Sequence, residues 1–294
     1  MYTLSELLTE IYEETGLDST KKTRIISRLN DFQRQICASE KWTWLEETFN
    51  VTTIANTDTY DIGIDNLLIK TVYQTTGGNK YQPLVEVKSA HEWDSLKNAF
   101  HTSKSDYPQY FHIREGQLQI FPKSSTSSNT ITILYLKRPL PMETEDYSTG
   151  TISVTNGSTT VTGSGTLWAS NVNAGDKIRI NERWYEIASI TNNTSLVLTK
   201  KYQGATESGI TGYKIGSCPI IPEDFQSVLW KMYCEEFYTK NPDKDKRAMY
   251  QQMRMETMEN LKNFSSSKST SNIFEMGKRT LLNPNYDKPI TVTY

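Results

Sequence analysis

A long helical pattern, from Pro222 to Phe264, constrains the fold of this chain more than any other stretch. Pro222 suits a first helical position, because its missing N–H would have no partner there. At Asn241-Pro242-Asp243 the pattern restarts, since Asn caps helices well and Pro again suits the first position. We predict two helices with one kinked joint, the second ending at Ser265-Ser266-Ser267. Their apolar residues cover more than one stripe: Phe225, Val228, Leu229, Trp230, Met232, Tyr233, Cys234 and Phe237, then Met249, Tyr250, Met253, Leu261 and Phe264.

This wide apolar arc needs cover from far upstream, because nothing else in the last third of the chain can form a core. The first residues fit, since Thr3 and Glu6 are spaced as a capping box that opens a helix. A second helix runs from Ser19 or Thr20 to about Ser39. We predict that these two helices pack on residues 222–264. Their apolar positions are Leu4, Leu7, Leu8 and Ile11, then Ile25, Ile26, Leu29, Phe32 and Ile36.

The second of these helices also has a basic side. Such a side either contacts nucleic acid or faces solvent, and we favour the solvated face because most charged helix faces are of that kind. Its residues are Lys21, Lys22, Arg24, Arg28 and Arg34.

A mixed β region follows the helices. Trp42 and Trp44 could stack on carbohydrate, but we interpret them as part of a small core. Alternation from Thr48 to Asp61 predicts a β-hairpin. Further strands are predicted at 67–75, 81–87, 118–122 and 130–137, with a short helix at 89–100.

Composition changes sharply at residue 149, where Thr, Ser, Asn and Gly come to dominate. Asn156-Gly157-Ser158 between short β-branched runs is a strong hairpin signal. Several short strands at this spacing predict a small antiparallel barrel or sandwich. The stretch begins after a linker and ends at the start of the last helices, as expected of a domain inserted into a host.

The predicted fold class is therefore α+β. It combines a helical bundle from the N- and C-terminal helices, a mixed β region and an inserted all-β domain. The predicted domains are a host of residues 1–148 plus 215–264, an insert of 149–214 and a C-terminal arm of 265–294.

Catalytic and metal sites are not predicted. The histidines His91, His101 and His112 have neither triad nor ligand spacing. The three cysteines are scattered, and the adjacent glutamate pairs point about 100° apart on a helix. We expect no enzyme activity, no cofactor and no metal. A net charge of −2 argues against a protein whose function is to bind phosphate backbones. No apolar run approaches the ~20 residues that a membrane-spanning helix needs.

The order of motifs resembles head–tail adaptor proteins of tailed bacteriophages. The resemblance rests on Trp42-Thr43-Trp44-Leu45, Pro108-Gln109-Tyr110, Leu118 to Pro122, Ile133-Leu134-Tyr135 before Arg138-Pro139, and Ile221-Pro222-Glu223. The stretch from Thr151 to Gly204 is similar to a β module that recurs in phage joining and tail proteins. The resemblance implies a virion protein of the phage neck, made in the host cytoplasm. It implies a ring, commonly of twelve copies, that binds the portal and the next neck or tail protein.

In this interpretation double-stranded DNA passes through the ring without specific binding, and no membrane is involved. The alternative is a tail-associated binding module whose β domain reads a host glycan or receptor. Its stacking surface would be formed by Trp168, Trp184, Tyr185 and Tyr202.

The last residues are predicted to form a docking arm. Ser265 to Ser271 has the composition of a flexible linker. The run Ile290 to Tyr294 alternates like a strand without a partner in its own segment, and such a strand usually completes another sheet edge. We expect residues 273–294 to lie extended against the portal or a neighbouring subunit. The docking residues are Ile273, Phe274, Leu281, Leu282, Tyr286, Ile290, Val292 and Tyr294.

Overall fold

The computed structural model describes residues 1–63, 66–76, 80–100, 103–241 and 243–280, without the side chains of 67, 76, 80, 81 and 267–280. The chain divides into two compact units. The terminal unit comprises Met1–Ile36 and the described residues from Pro139 onward, and the central unit is Cys37–Arg138. The mixed α+β class predicted from the sequence is confirmed, whereas the predicted domain boundaries stay a prediction.

The α-helices of the described residues are α1 (Leu4–Thr15), α2 (Lys22–Ser39), α3 (Ala90–Ala99), α4 (Trp168–Asn171), α5 (Val228–Lys240) and α6 (Lys244–Thr280). None of these helices combines the length and the apolar character needed to cross a bilayer.

The strands of the central unit are β1 (Glu46–Thr52), β2 (Thr59–Asp61), β3 (Asn66–Thr76), β4 (Lys80–Pro83), β5 (Val85–Glu86), β6 (Lys104–Ser105), β7 (Tyr110–Arg114), β8 (Gln117–Phe121), β9 (Lys123–Ser124) and β10 (Thr130–Lys137). Those of the terminal unit are β11 (Thr151–Val154), β12 (Thr160–Ser164), β13 (Lys177–Ile180), β14 (Arg183–Asn192), β15 (Ser195–Leu198), β16 (Glu207–Ile210) and β17 (Lys214–Gly216).

The central unit is built on two sheets, ordered β1-β10-β3-β4 and β2-β8-β7-β5. The predicted hairpin between Thr48 and Asp61 is wrong, because β1 and β2 belong to different sheets. β1 pairs along its whole length with β10, and β2 pairs with β8. The pairing of β1 with β10 forms more backbone hydrogen bonds than a hairpin with the three-residue strand β2 could form. Trp42 is buried, its ring 5.6 Å from that of Trp44, which agrees with the core interpretation.

In the terminal unit, residues 149–214 form a β module around a seven-stranded antiparallel sheet, ordered β16-β11-β12-β15-β14-β13-β17, that curls into a half-barrel. The predicted turn at Asn156-Gly157 is present, and Val154 faces Val161 across it. Gly157 has φ 76°, a left-handed conformation that glycine adopts without strain. The module has a core of its own, in which Trp168, Ile178 and Leu196 are fully buried.

The β module and the first helix meet at Ser217. Its carbonyl oxygen accepts a hydrogen bond from Leu4 N at 2.8 Å, which gives the first turn of α1 a partner. Its hydroxyl oxygen accepts from Thr144 N at 2.9 Å and Glu143 N at 3.2 Å, and it donates to Asp176 Oδ1 at 2.6 Å. Ser217 and Asp176 are both buried. The Ser217 hydroxyl therefore satisfies two buried groups, the N–H of Thr144 and the carboxylate of Asp176, and also the N–H of the exposed Glu143.

Side-chain amides hold the two chain segments that enter and leave the β module. Asn30 donates to Met142 O at 3.0 Å and accepts from Met142 N at 2.8 Å. Gln33 donates to Leu140 O at 3.1 Å and accepts from Ile220 N at 3.0 Å. Both amides sit on the buried side of α2. They replace the strand partner that an extended backbone otherwise needs.

The C-terminal helices differ from prediction in three places. The chain from Glu223 to Phe225 is a 3-10 turn, and α5 begins only at Val228. The cap of α6 is Asp243, whose carboxylate accepts from Lys246 N at 3.0 Å, rather than Asn241. α6 does not end at Ser265 but continues to Thr280.

We predict that Ser217→Ala lowers the free energy of unfolding by about 2–3 kcal/mol, because it leaves two backbone N–H groups and a carboxylate oxygen without partners. The measurement is the midpoint of urea-induced unfolding. Ser208→Ala is the matched control, since Ser208 is exposed on β16 and should change stability by no more than about 0.5 kcal/mol. Equal effects of the two substitutions would contradict the role assigned to Ser217.

Candidate functional site

The helical hairpin α5–α6 carries a compact aromatic cluster. Tyr238 and Tyr250 are stacked with ring centroids 5.8 Å apart, and Trp230 meets Tyr250 edge-on at 6.1 Å. Cys234 is buried beside them. Aromatic pairs of this geometry add to the stability given by burial alone. The cluster explains why the wide apolar arc of this stretch is needed.

The end of α1 is attached to this cluster through Glu14. Tyr238 Oη donates to the Glu14 carbonyl at 2.6 Å, and Tyr250 Oη donates to its carboxylate at 2.5 Å. Burial, followed by the hydrogen bond to Glu14, raises the pKa of Tyr250 above its ordinary value. The phenol therefore stays protonated and remains a donor at neutral pH.

The adjacent carboxylates Glu235 and Glu236 serve different helices, as expected from their spacing. Glu235 pairs with Arg254 of α6 at 2.6 Å, and Glu236 pairs with Arg28 of α2 at 2.5 Å. Burial acts to raise the pKa of Glu236, but hydrogen bonds from Lys240 and Arg28 outweigh it and hold that pKa below 4.5. Both carboxylates thus join helices instead of sharing a catalytic site.

A cleft of about 320 Å³ lies between α2 and α5. Glu236 is the acidic residue of its lining, which otherwise combines basic and apolar side chains. The lining residues are Leu17, Lys21, Arg24, Arg28, Tyr233, Glu236, Phe237, Lys240 and Asn241. Sequence reasoning treated the basic residues of α2 only as a solvated face. No local signal could have shown the cleft, because Arg28 and Glu236 are 208 positions apart.

The two histidines that the structure describes lie on different elements. His91 is exposed at the start of α3, whereas His112 is buried in β7 with Nδ1 2.7 Å from Val87 O, and His101 lies outside the described residues. Burial raises the pKa of Cys37 and of Cys234 to about 12, so both thiols stay neutral. Within the described ranges no group of His, Cys, Asp and Glu is arranged to hold a metal ion.

The aromatic residues considered for glycan stacking mostly belong to the core of the β module. Trp168, Tyr185 and Tyr202 are buried in that core, and only Trp184 is partly exposed. Packing therefore explains Trp168 and Tyr202, whereas Trp184 and Tyr185 also line a surface cleft of the module together with Arg179 and Arg183.

The predicted docking arm is described only in its first part. Ile273 and Phe274 lie in α6, and Leu281, Leu282, Tyr286, Ile290, Val292 and Tyr294 lie outside the described residues. The expected flexible linker at 265–271 and extended chain at 273–280 are wrong, because α6 runs through them. Phe264 packs on Phe225 at 5.5 Å, and the Ser266 hydroxyl donates to Lys262 O at 2.9 Å, so this serine is accommodated within the helix.

Residues 2–160 match the family model described as SU10 adaptor protein. The match covers more than half of the chain, from α1 through the central unit to the first hairpin of the β module. α5 and α6 lie beyond it. No curated protein is significantly similar to this chain.

We predict that Glu236→Gln destabilises the protein at pH 7 by up to about 1 kcal/mol, as for a partly exposed ion pair. Because the folded pKa of Glu236 is below 4.5, the stabilisation is present above pH 4.5 and is lost as the pH falls through the folded value. The difference in Tm between wild type and variant should therefore shrink below pH 4.5. The exposed Glu259→Gln is the control. A difference that stays constant down to pH 3 would rule out this ionic contribution.

Proposed function

The chain belongs to the SU10 adaptor family of phage structural proteins, and on this premise we propose that it is a neck protein that joins head to tail. It is a virion component that binds the portal on one side and the next neck or tail protein on the other. The family match carries this proposal. An adaptor acts by assembly, so the function needs no catalytic group and no cofactor.

We propose that the protein acts as a closed homo-oligomeric ring, with twelve copies as the expected number, around the DNA exit channel. Heterologous contacts between identical subunits close into a ring when the rotation divides the circle. The net charge of −2 suits a wall that DNA passes, because each phosphate neutralised by Lys or Arg adds affinity and would retain the DNA.

The helices of the terminal unit supply the framework in this proposal. α1 and α2 with α5 and α6 form one bundle, which the Tyr238–Glu14 and Arg28–Glu236 contacts support. The β module, residues 149–214, is a domain inserted into a host of residues 1–148 plus 215–264. Its own buried core supports this division.

The ring is tested by mass measurement of the purified protein, alone and mixed with the portal protein of the same phage. We expect a complex in which several copies join the portal, commonly twelve, because the portal presents repeated docking sites. The free protein can be monomeric before docking, so the ring is tested by the mass of the mixture with portal protein. A protein that stays monomeric and never joins the portal would refute the ring.

We also propose that residues 273–294 form the arm that docks on the portal or a neighbouring subunit. Its first residues, Ile273 and Phe274, lie in α6. So many large apolar residues in a terminal stretch are unusual for a segment without a binding role.

Truncation after Phe264 should leave thermal unfolding unchanged while weakening attachment to portal-bearing heads, because the arm is placed outside the folded core. Truncation after Thr280 keeps the whole of α6. Comparing the two truncated proteins therefore shows whether residues 265–280 or residues 281–294 contribute to attachment. Attachment is measured by sedimentation of heads with bound protein. The arm proposal fails if the protein that ends at Phe264 attaches as well as the full chain.

A further inference from the structure

The two long sides of α5 face different surroundings. Trp230, Cys234 and Tyr238 pack toward α6, and Tyr233, Glu236 and Lys240 line the cleft against α2. Successive residues of a helix are rotated by about 100°, so the mean directions of these two sets differ by roughly 130°. Phe237 lies between them and contacts both the aromatic cluster and the cleft. The cleft and the outward face of α6 therefore belong to different sides of the helical hairpin.

The outward face of α6 carries two glutamates and a lysine, Lys262, around an exposed apolar residue. Tyr250, Arg254 and Leu261 turn toward α5, since they are buried or paired there. Half a turn away Met255 is 57% exposed, and Glu256 and Glu259 are exposed beside it. Neither glutamate forms an ion pair within the described residues.

The cleft has the opposite charge and also offers apolar surface. Arg28 and Lys240 share Glu236, whereas Lys21 and Arg24 form no ion pair with a carboxylate in the described part of the chain. Leu17 and Phe237 provide the apolar lining. The cleft therefore combines an excess of positive charge with an apolar surface, formed by Leu17 and Phe237, on which an apolar side chain can pack.

We propose that the outward face of α6 in one copy seats in the α2–α5 cleft of the next copy. Glu256 and Glu259 then face Lys21 and Arg24, and Met255 packs over Leu17 and Phe237. Because the two surfaces are different and point in different directions, the contact is heterologous and can repeat around a ring. This inference rests on the proposed ring and names the surfaces that would close it.

A second copy fits the cleft better than DNA does. The carboxylate of Glu236 is already paired with Arg28 and Lys240, and the cleft volume of about 320 Å³ suits a few side chains rather than a nucleic-acid backbone. The acidic partner surface is already present on the same chain. Opposite charges on the two surfaces also favour the correct orientation of approaching copies.

A charge swap tests the contact in full-length protein mixed with portal protein. The double variants Lys21→Glu/Arg24→Glu and Glu256→Lys/Glu259→Lys should each lower ring formation by about tenfold or more, because like charges then face each other across the interface. The combination of all four substitutions restores the attraction and should recover most of the loss. Ring formation is measured by sedimentation velocity. Raising the salt to 1 M should weaken wild-type rings, since it shortens the screening length to about 3 Å.

The matched control is Lys200→Glu/Lys201→Glu, which makes the same change of charge on exposed residues of the β module and should assemble like wild type. Circular dichroism confirms that each variant is folded. Wild-type assembly of either double variant, or no recovery in the fourfold variant, would overturn the proposed contact. If wild-type protein forms no ring even with portal, the proposed function itself has failed.

Discussion

The hydrogen bonds of Ser217 hold the terminal unit together, because distant parts of the chain meet at this residue. The start of α1, the segment at Glu143 and Thr144, and Asp176 of the β module all bond to it. A buried polar group without a partner costs more than an average hydrogen bond contributes. The small hydroxyl is therefore as important to this junction as the apolar cores on either side of it.

The side-chain amides of Asn30 and Gln33 on α2 also form hydrogen bonds with the backbone of distant segments. Each uses both its donor and its acceptor on the backbone of a crossing segment. Gln226 does the same from the other end, donating to Ile221 O at 2.9 Å and accepting from Tyr2 N at 2.7 Å. These side chains fix where the chain enters and leaves the β module, so they also fix its position on the helices of the terminal unit.

The helical hairpin gives the unit two chemically different surfaces. One side of α5 is buried by aromatic packing against α6. On another side, Glu236 forms an ion pair with Arg28 of α2. This arrangement leaves basic residues in the cleft and the exposed carboxylates of Glu256 and Glu259 on α6. Identical surfaces give closed pairs, whereas unlike surfaces can continue around a ring.

The sequence by itself determined the elements whose signals are local. The capping box of Thr3 and Glu6 and the turn at Gly157 were both predictable from a few neighbouring residues. So was the family, whose motifs are read along the chain. The helix through Ser265 was missed because serine is a poor helix former, and the packing of Phe264 on Phe225, which helps to anchor the helix there, is a contact between distant residues.

Only the tertiary structure decided which distant residues meet. β1 pairs with β10 rather than with β2, its neighbour along the chain. Arg28 bonds to Glu236, although the two residues are far apart in the sequence. The same holds for Ser217 and Asp176. Spacing along the chain carries no signal for such pairs, because their energies depend on burial and geometry that exist only after folding. The helices could therefore be predicted from the sequence, but the cleft between α2 and α5 could not.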